Sequence, residues 1–170
     1  LDTKFRALLS SLPIFLRPDP TLEQLPEVRQ EQAQRPYLAM HRLIVFEAVN
    51  QRLLVLHRDD MCRGHHDEKF AYSTRVAVDA ARTILSCRQQ IDNVHPAVQK
   101  HAAFRHHLFQ AAIVLSIHLL ELSHKAQGES QVAHQLRDDI ALIMNYLYGS
   151  NNLRTSCLLY TSDAADDTPC

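Results

Sequence analysis

The chain of 170 residues has little of what many enzyme sites require. Glycine occurs only at positions 64, 128 and 149. The closely spaced glycines that a nucleophile elbow or a phosphate-binding loop requires are therefore absent. None of the four cysteines forms a Cys-x-x-Cys pair, which argues against a standard zinc finger. The sequence therefore predicts no enzyme and no bound metal.

Charge and hydropathy argue against two classes of partner. The chain carries 18 basic and 19 acidic residues, a net charge of −1, which predicts no basic surface for nucleic acid or anionic lipid. Its most apolar run, Leu108 to Leu120, has thirteen residues, whereas a membrane span needs about 20. We therefore expect a core helix at Leu108 to Leu120, and no membrane partner.

The last fourteen residues, Cys157 to Cys170, resemble the in-frame translation of an adapter used to prepare sequencing libraries. We expect this tail, 157–170, to be an artefact and disordered, and we leave it out of the fold. A natural acidic C-terminus is the alternative. The tail holds three aspartates and no lysine or arginine. The net charge is therefore −1 for the whole chain but +2 for residues 1–156.

Residues 1–156 are expected to form one domain, a truncated fragment of a larger helical domain. The chain has no tryptophan and few glycines but is rich in Ala, Leu, Gln and Arg, which favours helix over sheet. Outside the tail, Cys62 and Cys87 are isolated thiols, which indicates a reducing compartment and no disulfide framework. The fold class predicted from composition is all-α.

Periodicity and proline positions place the helices. Residues 21–35 are expected to be irregular, and 58–69 to be a polar turn. Long helices with short links pack antiparallel, so we expect a multi-helix antiparallel bundle or array. The predicted helices lie near 5–12, from 36 to about 57, from 72 to about 90, from about 97 to 125, and from 132 to 147.

One predicted helix face is made mostly of alanine. Its residues recur at i, i+3, i+4, i+7 and i+8, the spacing of one side of a helix: Ala77, Ala80, Ala81, Ile84 and Leu85. Small side chains let another helix approach toward the low end of the ~8–10 Å interaxial range. We expect this face to pack against the apolar helix that precedes it.

Residues on both sides of the polar turn form a pattern: Leu56, His57, Arg58, Tyr72, Ser73, Ala80, Ala81 and Ile84. The pattern resembles a signature of the regulatory (middle homology) domain of fungal-specific transcription factors, which are binuclear zinc-cluster regulators. That family shows Leu-His-Arg-Pro-Phe, a variable turn, then Tyr-x-Ser-x-x-x-Cys-x-x-Ala-Ala-x-x-Ile. Three positions depart, because Asp59 and Asp60 replace Pro-Phe and Ala77 replaces Cys. Tyr72 also directly precedes Ser73.

The resemblance covers roughly residues 1–150 and implies a regulatory domain that controls transcription in the nucleus. In the family, a separate N-terminal cluster of six cysteines binds zinc and contacts DNA. Both properties would belong to the full-length protein, not to this fragment. Co-regulator proteins or a small metabolite would be the partners of the domain itself. The resemblance implies no catalytic residue and no cofactor in these residues.

Three residues of the pattern and its surroundings are candidates for more specific roles. We expect His57 and Arg58 to lie at a helix C-terminus, where cationic side chains meet free carbonyl groups. The alternative for Arg58 is contact with an anionic effector. His118 lies in the apolar run, which predicts a histidine hydrogen-bonded across helices, with effector contact as its alternative.

Other polar clusters are interpreted as surface. Five residues near the turn are of types that can bind zinc, but their spacing matches no standard metal site: His57, Cys62, His65, His66 and Asp67. His101, His106 and His107 are expected to face solvent. The pairs Asp59-Asp60 and Asp138-Asp139 lack the third aspartate of helical terpenoid enzymes. Two alternatives for the whole chain stay open, a helical interaction scaffold unrelated to transcription and a fragment of a helical enzyme.

Overall fold

A computed structural model describes residues 1–18, 21–94, 102–125 and 130–149. Within these ranges the chain forms six α-helices and no strand, which confirms the all-α prediction. The adapter-like tail and the expected start of the fifth helix lie outside the described residues. The helices are α1 Asp2–Ser11, α2 Pro26–Gln34, α3 Tyr37–Gly64, α4 Ala71–Val94, α5 Ala102–His124 and α6 Gln131–Gly149.

Helices α3 and α4 form an antiparallel pair, and among the described helices they share the most extensive interface. They are joined by a turn over 65–70, which includes a short 3-10 helix, Glu68–Phe70. Residues late in α3 contact residues early in α4. His57 Nδ1 lies 3.1 Å from Ser73 Oγ, and the Thr74 hydroxyl donates to the Met61 carbonyl at 2.8 Å. The turn therefore reverses the chain direction.

Helix α5 runs parallel to α3, because successive contacts advance together along both helices. Glu47 Oε1 lies 3.0 Å from His107 Nδ1, and the Gln51 side-chain amide donates to Gln110 Oε1 at 3.0 Å. Helix α5 also packs against α4 and α6. Since α3 and α4 are antiparallel, α4 and α5 are antiparallel as well.

Helix α6 completes the alternation by running parallel to α4. Arg82 Nε of α4 donates to Asp139 Oδ2 of α6 at 3.0 Å. Six residues further along α4, the Arg88 guanidinium carbon lies 5.8 Å from the ring centroid of Tyr146. The four long helices thus form an antiparallel array in which each helix contacts its neighbours in sequence.

The alanine face of α4 is buried, as its spacing predicts. Its five residues are between 0% and 4% exposed: Ala77, Ala80, Ala81, Ile84 and Leu85. They belong to the main apolar cluster, together with Leu53 and Leu54 of α3 and Leu108 and Leu115 of α5. Burying this apolar area is the main driving force for assembling the array.

Helix α3 ends seven residues later than the sequence predicted. The predicted turn after Arg58 is wrong for residues 58–64, because Asp59 and Asp60 continue the helix where a proline would have stopped it. The helix instead ends at Gly64. A Cβ atom there would overlap the Thr74 hydroxyl and the Phe70 carbonyl, so the turn can pass this close only at a glycine.

The N-terminal region is more helical than predicted. Helix α1 confirms the short helix expected near 5–12, and Phe5 and Leu9 pack against the main cluster. Residues 21–35, expected to be irregular, contain a 3-10 helix at Leu22–Gln24 and helix α2. Pro26 starts α2 at a position that tolerates a missing N–H, and Val28 is its buried residue. A helix with one buried residue leaves no repeating apolar spacing in the sequence, which is why α2 was not predicted.

Candidate functional site

His57 connects the two halves of the sequence pattern. It lies within α3, seven residues before Gly64, so its expected placement at a helix C-terminus is wrong. Its side chain is nearly buried and forms the hydrogen bond to Ser73 of α4. The ring of Tyr72 meets the His57 ring edge-on, with centroids 5.6 Å apart. Three residues of the pattern thus contact one another where α3 meets α4.

Asp2 of helix α1 places its carboxylate beside His57 and Tyr72. The Tyr72 hydroxyl donates to Asp2 Oδ2, and Arg6 Nε donates to Asp2 Oδ1 at 2.7 Å. His57 Nε2 lies 3.5 Å from the same Asp2 Oδ2, an electrostatic contact rather than a hydrogen bond. Burial raises the pKa of Asp2, but the Tyr72 and Arg6 hydrogen bonds outweigh it and the pKa is lowered. We call Asp2, His57, Tyr72 and Ser73 the His57 junction.

The hydrogen bond of the junction predicts a thermodynamic coupling. Replacing Ser73→Ala and His57→Ala singly and together should give a coupling free energy of about 0.5–1.5 kcal/mol, the usual net value of such a bond. Urea unfolding of the four proteins measures it. His41 is exposed at the other end of α3, so Ser73→Ala with His41→Ala should be additive. Equal coupling in both pairs would contradict the assigned contact.

The other residues of the pattern divide between core and surface. Ala80, Ala81 and Ile84 are buried in the main apolar cluster, at the interface of α4 with the helices packed against it. Leu56 is 36% exposed and Arg58 is about half-exposed, so both point away from that interface. Arg58 also lies within α3, and its expected placement at a helix C-terminus is therefore wrong. The Arg58 side chain is nevertheless exposed enough to contact a partner.

Arg58 lies at the edge of a groove between the parallel helices α3 and α5. The floor contains buried residues from both helices, Leu54 and Met61 from α3 and Val114 from α5. Ile113 on the α5 wall is 44% exposed. Gln110 of the same wall accepts a hydrogen bond from Gln51, which ties the two walls together. The edge of the groove thus carries both charges, Arg58 and Asp59, and Ile113 is its exposed large apolar residue.

His118 forms a hydrogen bond with a residue distant in sequence, His65. Its Nδ1 lies 3.3 Å from Nε2 of His65, so the partner lies in the turn that follows α3 and not in a second helix. Burial, and then the neighbouring His65 and Arg82, lower the pKa of His118 to about 4. Burial also lowers the pKa of His65. Both rings are therefore neutral at pH 7, so one can donate to the other.

This pair predicts acid sensitivity. Because the pKa of His118 falls from 6.5 to about 4 on folding, the unfolded chain takes up the proton first. The stability associated with neutral His118 is complete above pH 6.5 and is lost as the pH falls toward 4. Melting temperatures across this range should fall less in His118→Leu than in the parent. His134 is exposed on α6, and His134→Gln should keep the parental loss. An unchanged loss in His118→Leu would contradict this.

A buried polar cluster was missed by sequence reasoning. Glu47 is 1% exposed, His107 is largely covered, and Arg88 is buried with its guanidinium carbon 5.8 Å from the Phe104 and Tyr146 ring centroids. Burial raises the pKa of Glu47, although His107 and Arg88 oppose the shift. The expectation that His107 faces solvent was wrong. The cluster joins all four long helices, so it fixes their register.

The two cysteines outside the tail lie in different environments. Cys62 is exposed on α3, whereas Cys87 is buried on α4 in a second apolar cluster with Leu43, Ile91 and Phe104. Burial, and then the charge of Glu47, raise the pKa of Cys87 to about 12, so its thiol is not reactive. In the described part of the chain, no three His, Cys, Asp or Glu side chains are grouped to hold a metal ion. None of the described helices has the length and hydropathy of a membrane span.

Two fungal transcription factors are similar to this chain. The "Probable transcription factor lepB" of Aspergillus flavus is 27% identical over 123 residues, which are 70% of this chain and 21% of that protein. The "Agnestins biosynthesis cluster transcription factor AgnL11" of Paecilomyces divaricatus is 26% identical over 137 residues, 79% of this chain and 18% of its own length. The chain thus spans about a fifth of these relatives. No family model and no solved structure matches it.

Proposed function

We propose that this chain is a regulatory domain of a fungal zinc-cluster transcription factor, and that it controls transcription in the nucleus without catalysing a reaction. The single observation that carries the proposal is the similarity to two proteins named as transcription factors, over 70% and 79% of the chain. DNA contact and zinc binding would be supplied by another part of a longer protein. The domain itself would act through other proteins or a small metabolite.

The helical array supports a role in which the domain presents surfaces to partners. The His57 junction connects the antiparallel helices α3 and α4, and the alanine face of α4 is buried in the main apolar cluster. The groove between α3 and α5 is left accessible, with Arg58 at its edge.

Reporter transcription in the full-length protein tests the proposal. The complete coding sequence would be recovered and expressed with an epitope tag in the source fungus. We expect nuclear localisation, a six-cysteine cluster outside the present residues, and occupancy of specific promoters. Variants in the exposed groove should change transcript levels several-fold while promoter occupancy stays at the parental value.

Ala141 provides a matched surface control. It is exposed on α6, so Ala141→Glu adds a charge outside the groove and should leave transcript levels unchanged. A protein that stays out of the nucleus and occupies no promoter would contradict the proposal. So would groove variants that leave every transcript unchanged.

A further inference from the structure

The N-terminal part of the chain lies along α3 without burying any of its described side chains. It comprises helix α1 and two 3-10 helices, at Ile14–Leu16 and Leu22–Gln24, and none of these three elements has a buried residue. Helix α1 and the first 3-10 helix both contact α3. Val28 of α2 is the first buried residue along the described chain. We call residues 1–18 and 21–25 the strap.

Two carboxylates of the strap contact side chains near the two ends of α3. Late in α3, His57 Nε2 lies 3.5 Å from Asp2 Oδ2, which also accepts a hydrogen bond from the Tyr72 hydroxyl. Early in α3, Nη2 of Arg42 lies 2.8 Å from Oε1 of Glu23. Arg42 and His57 are fifteen residues apart, about 22 Å along a helix that rises 1.5 Å per residue. The strap is therefore held at both ends and runs opposite to α3.

Between these two contacts the strap is held by partly covered apolar side chains. Phe5 and Leu9 pack against the main apolar cluster, but neither is fully buried. Arg6 Nε donates to Asp2 Oδ1 within α1, so Asp2 keeps a cationic partner when α1 leaves α3. Segments with few buried apolar contacts open at a lower free energy than the core does. Release of the strap therefore gives up little apolar burial.

Closing the strap leaves polar groups of α3 poorly solvated at both contacts. His57 Nε2 is buried without a hydrogen-bond partner among the described residues, which costs free energy that contact with water would recover. Arg42 is 7% exposed and its partner Glu23 is 44% exposed, so dissolved ions screen the pair. Loss of Glu23 favours movement of the strap that lets water reach the Arg42 guanidinium. Both effects favour release.

We propose that the strap is a switch, which detaches from α3 as one unit while α3 to α6 stay folded. Detachment uncovers the side of α3 that carries Arg42 and His57, and water takes the place of Asp2 in the His57 junction. The inference goes beyond the proposed function and does not rest on it. A partner that binds the open state better than the closed state would shift the chain toward the open state.

Native-state hydrogen exchange of the full chain, followed by mass spectrometry, tests the proposal. Helix α1 has ten residues, and a helix of this length is marginal in water on its own, so its amides exchange when the strap detaches. Relative to the unfolded chain, we expect the amides of α1 to be protected at least about tenfold less than those of α4, a difference of ~1.4 kcal/mol. Raising sodium chloride from about 0.05 M to about 0.5 M should widen this difference.

Variants at the two ends show whether the strap moves as one unit. Glu23→Gln should raise exchange in α1 severalfold, although Glu23 lies at the other end of the strap. Asp2→Asn should in turn raise exchange at Leu22–Gln24. Glu27 is exposed on α2 and lies outside both contacts, so Glu27→Gln removes the same charge and should leave exchange in α1 at the parental rate. None of these variants should change exchange in α4 or α5.

A tryptophan placed on the strap gives an independent measurement. The chain has no tryptophan, so Phe5→Trp adds a single reporter where α1 meets the main apolar cluster. Its emission should shift to longer wavelength at a lower urea concentration than the loss of helix followed by circular dichroism. Adding Glu23→Gln to this variant should move the fluorescence transition to still lower urea and leave the helix transition in place.

Three results would overturn the proposal. The first is equal protection of α1 and α4, because the chain would then open as a single unit. The second is an effect of Glu23→Gln that stays within the residues beside it, because the two ends of the strap would then fray independently. The third is coincidence of the fluorescence and circular dichroism transitions. The proposed function would stand in each case, since nuclear localisation and transcript levels are measured separately.

Discussion

Ile84→Ala should lower the free energy of unfolding by about 2–5 kcal/mol, the range for removing buried aliphatic groups. Ile84 is 0% exposed, and it lies on the alanine face of α4 within the main apolar cluster. Its neighbours on that face are mostly alanines, so they have little side chain with which to fill the cavity. Urea unfolding followed by circular dichroism measures the change, and the m-value shows whether the transition stays two-state.

A graded series separates lost packing from a changed fold. Ile84→Val removes one methylene group and should cost about 0.5–1.5 kcal/mol. Ile113 is half-exposed on α5, so Ile113→Ala should cost much less than Ile84→Ala although the side chain is the same. Equal losses at the two positions would contradict the placement of Ile84 in the core.

Ala80→Leu should destabilise the protein by adding volume to the core, whereas Ile84→Ala removes it. Ala80 is 2% exposed within the main apolar cluster, and three added carbon atoms would force the helices apart or distort rotamers. We expect a loss of about 1–3 kcal/mol, the usual range for an overpacked core. Thermal melting should show it as a fall of roughly 2–12 °C for a domain of this size.

Ala48 on α3 provides the control for this substitution. It is exposed, so Ala48→Leu adds the same carbons without overpacking and should change stability by less than about 0.5 kcal/mol. Ala80→Leu would then differ from Ala48→Leu by the cost of the tight interface alone. A variant Ala80→Leu as stable as the parent would place Ala80 outside the packed core.

The parts of the fold that follow from local periodicity could be predicted. The buried face of α4 was predictable because this helix buries one side, which leaves a regular apolar spacing in the sequence. That His118 is hydrogen-bonded could also be predicted, because a histidine within an apolar run needs a partner, but its partner lies in a turn and not in a helix. The contact of His57 with Tyr72 and Ser73 was not predicted, although the resemblance marked all three residues.

The features that depend on distant contacts could not be predicted. The end of α3 is set by the close passage of Gly64 beside Phe70 and Thr74, and nothing local to Asp59 or Asp60 indicates it. The Glu47 and His107 contact joins residues sixty positions apart, and each looks like an ordinary surface residue in its own segment. Packing of α3 against α5 brings them together and buries them.

Nuclear Overhauser contacts of the His57 ring most directly test whether the sequence pattern builds an antiparallel α3–α4 pair. With selectively labelled histidine and tyrosine in the full chain, cross-peaks are expected between the His57 and Tyr72 ring protons, whose ring centroids lie 5.6 Å apart. These cross-peaks should persist in Ser73→Ala, since the two rings touch without that hydroxyl. A His57 ring without contacts to Tyr72, in a chain that is otherwise helical and folded, would contradict the assigned pairing of the two helices.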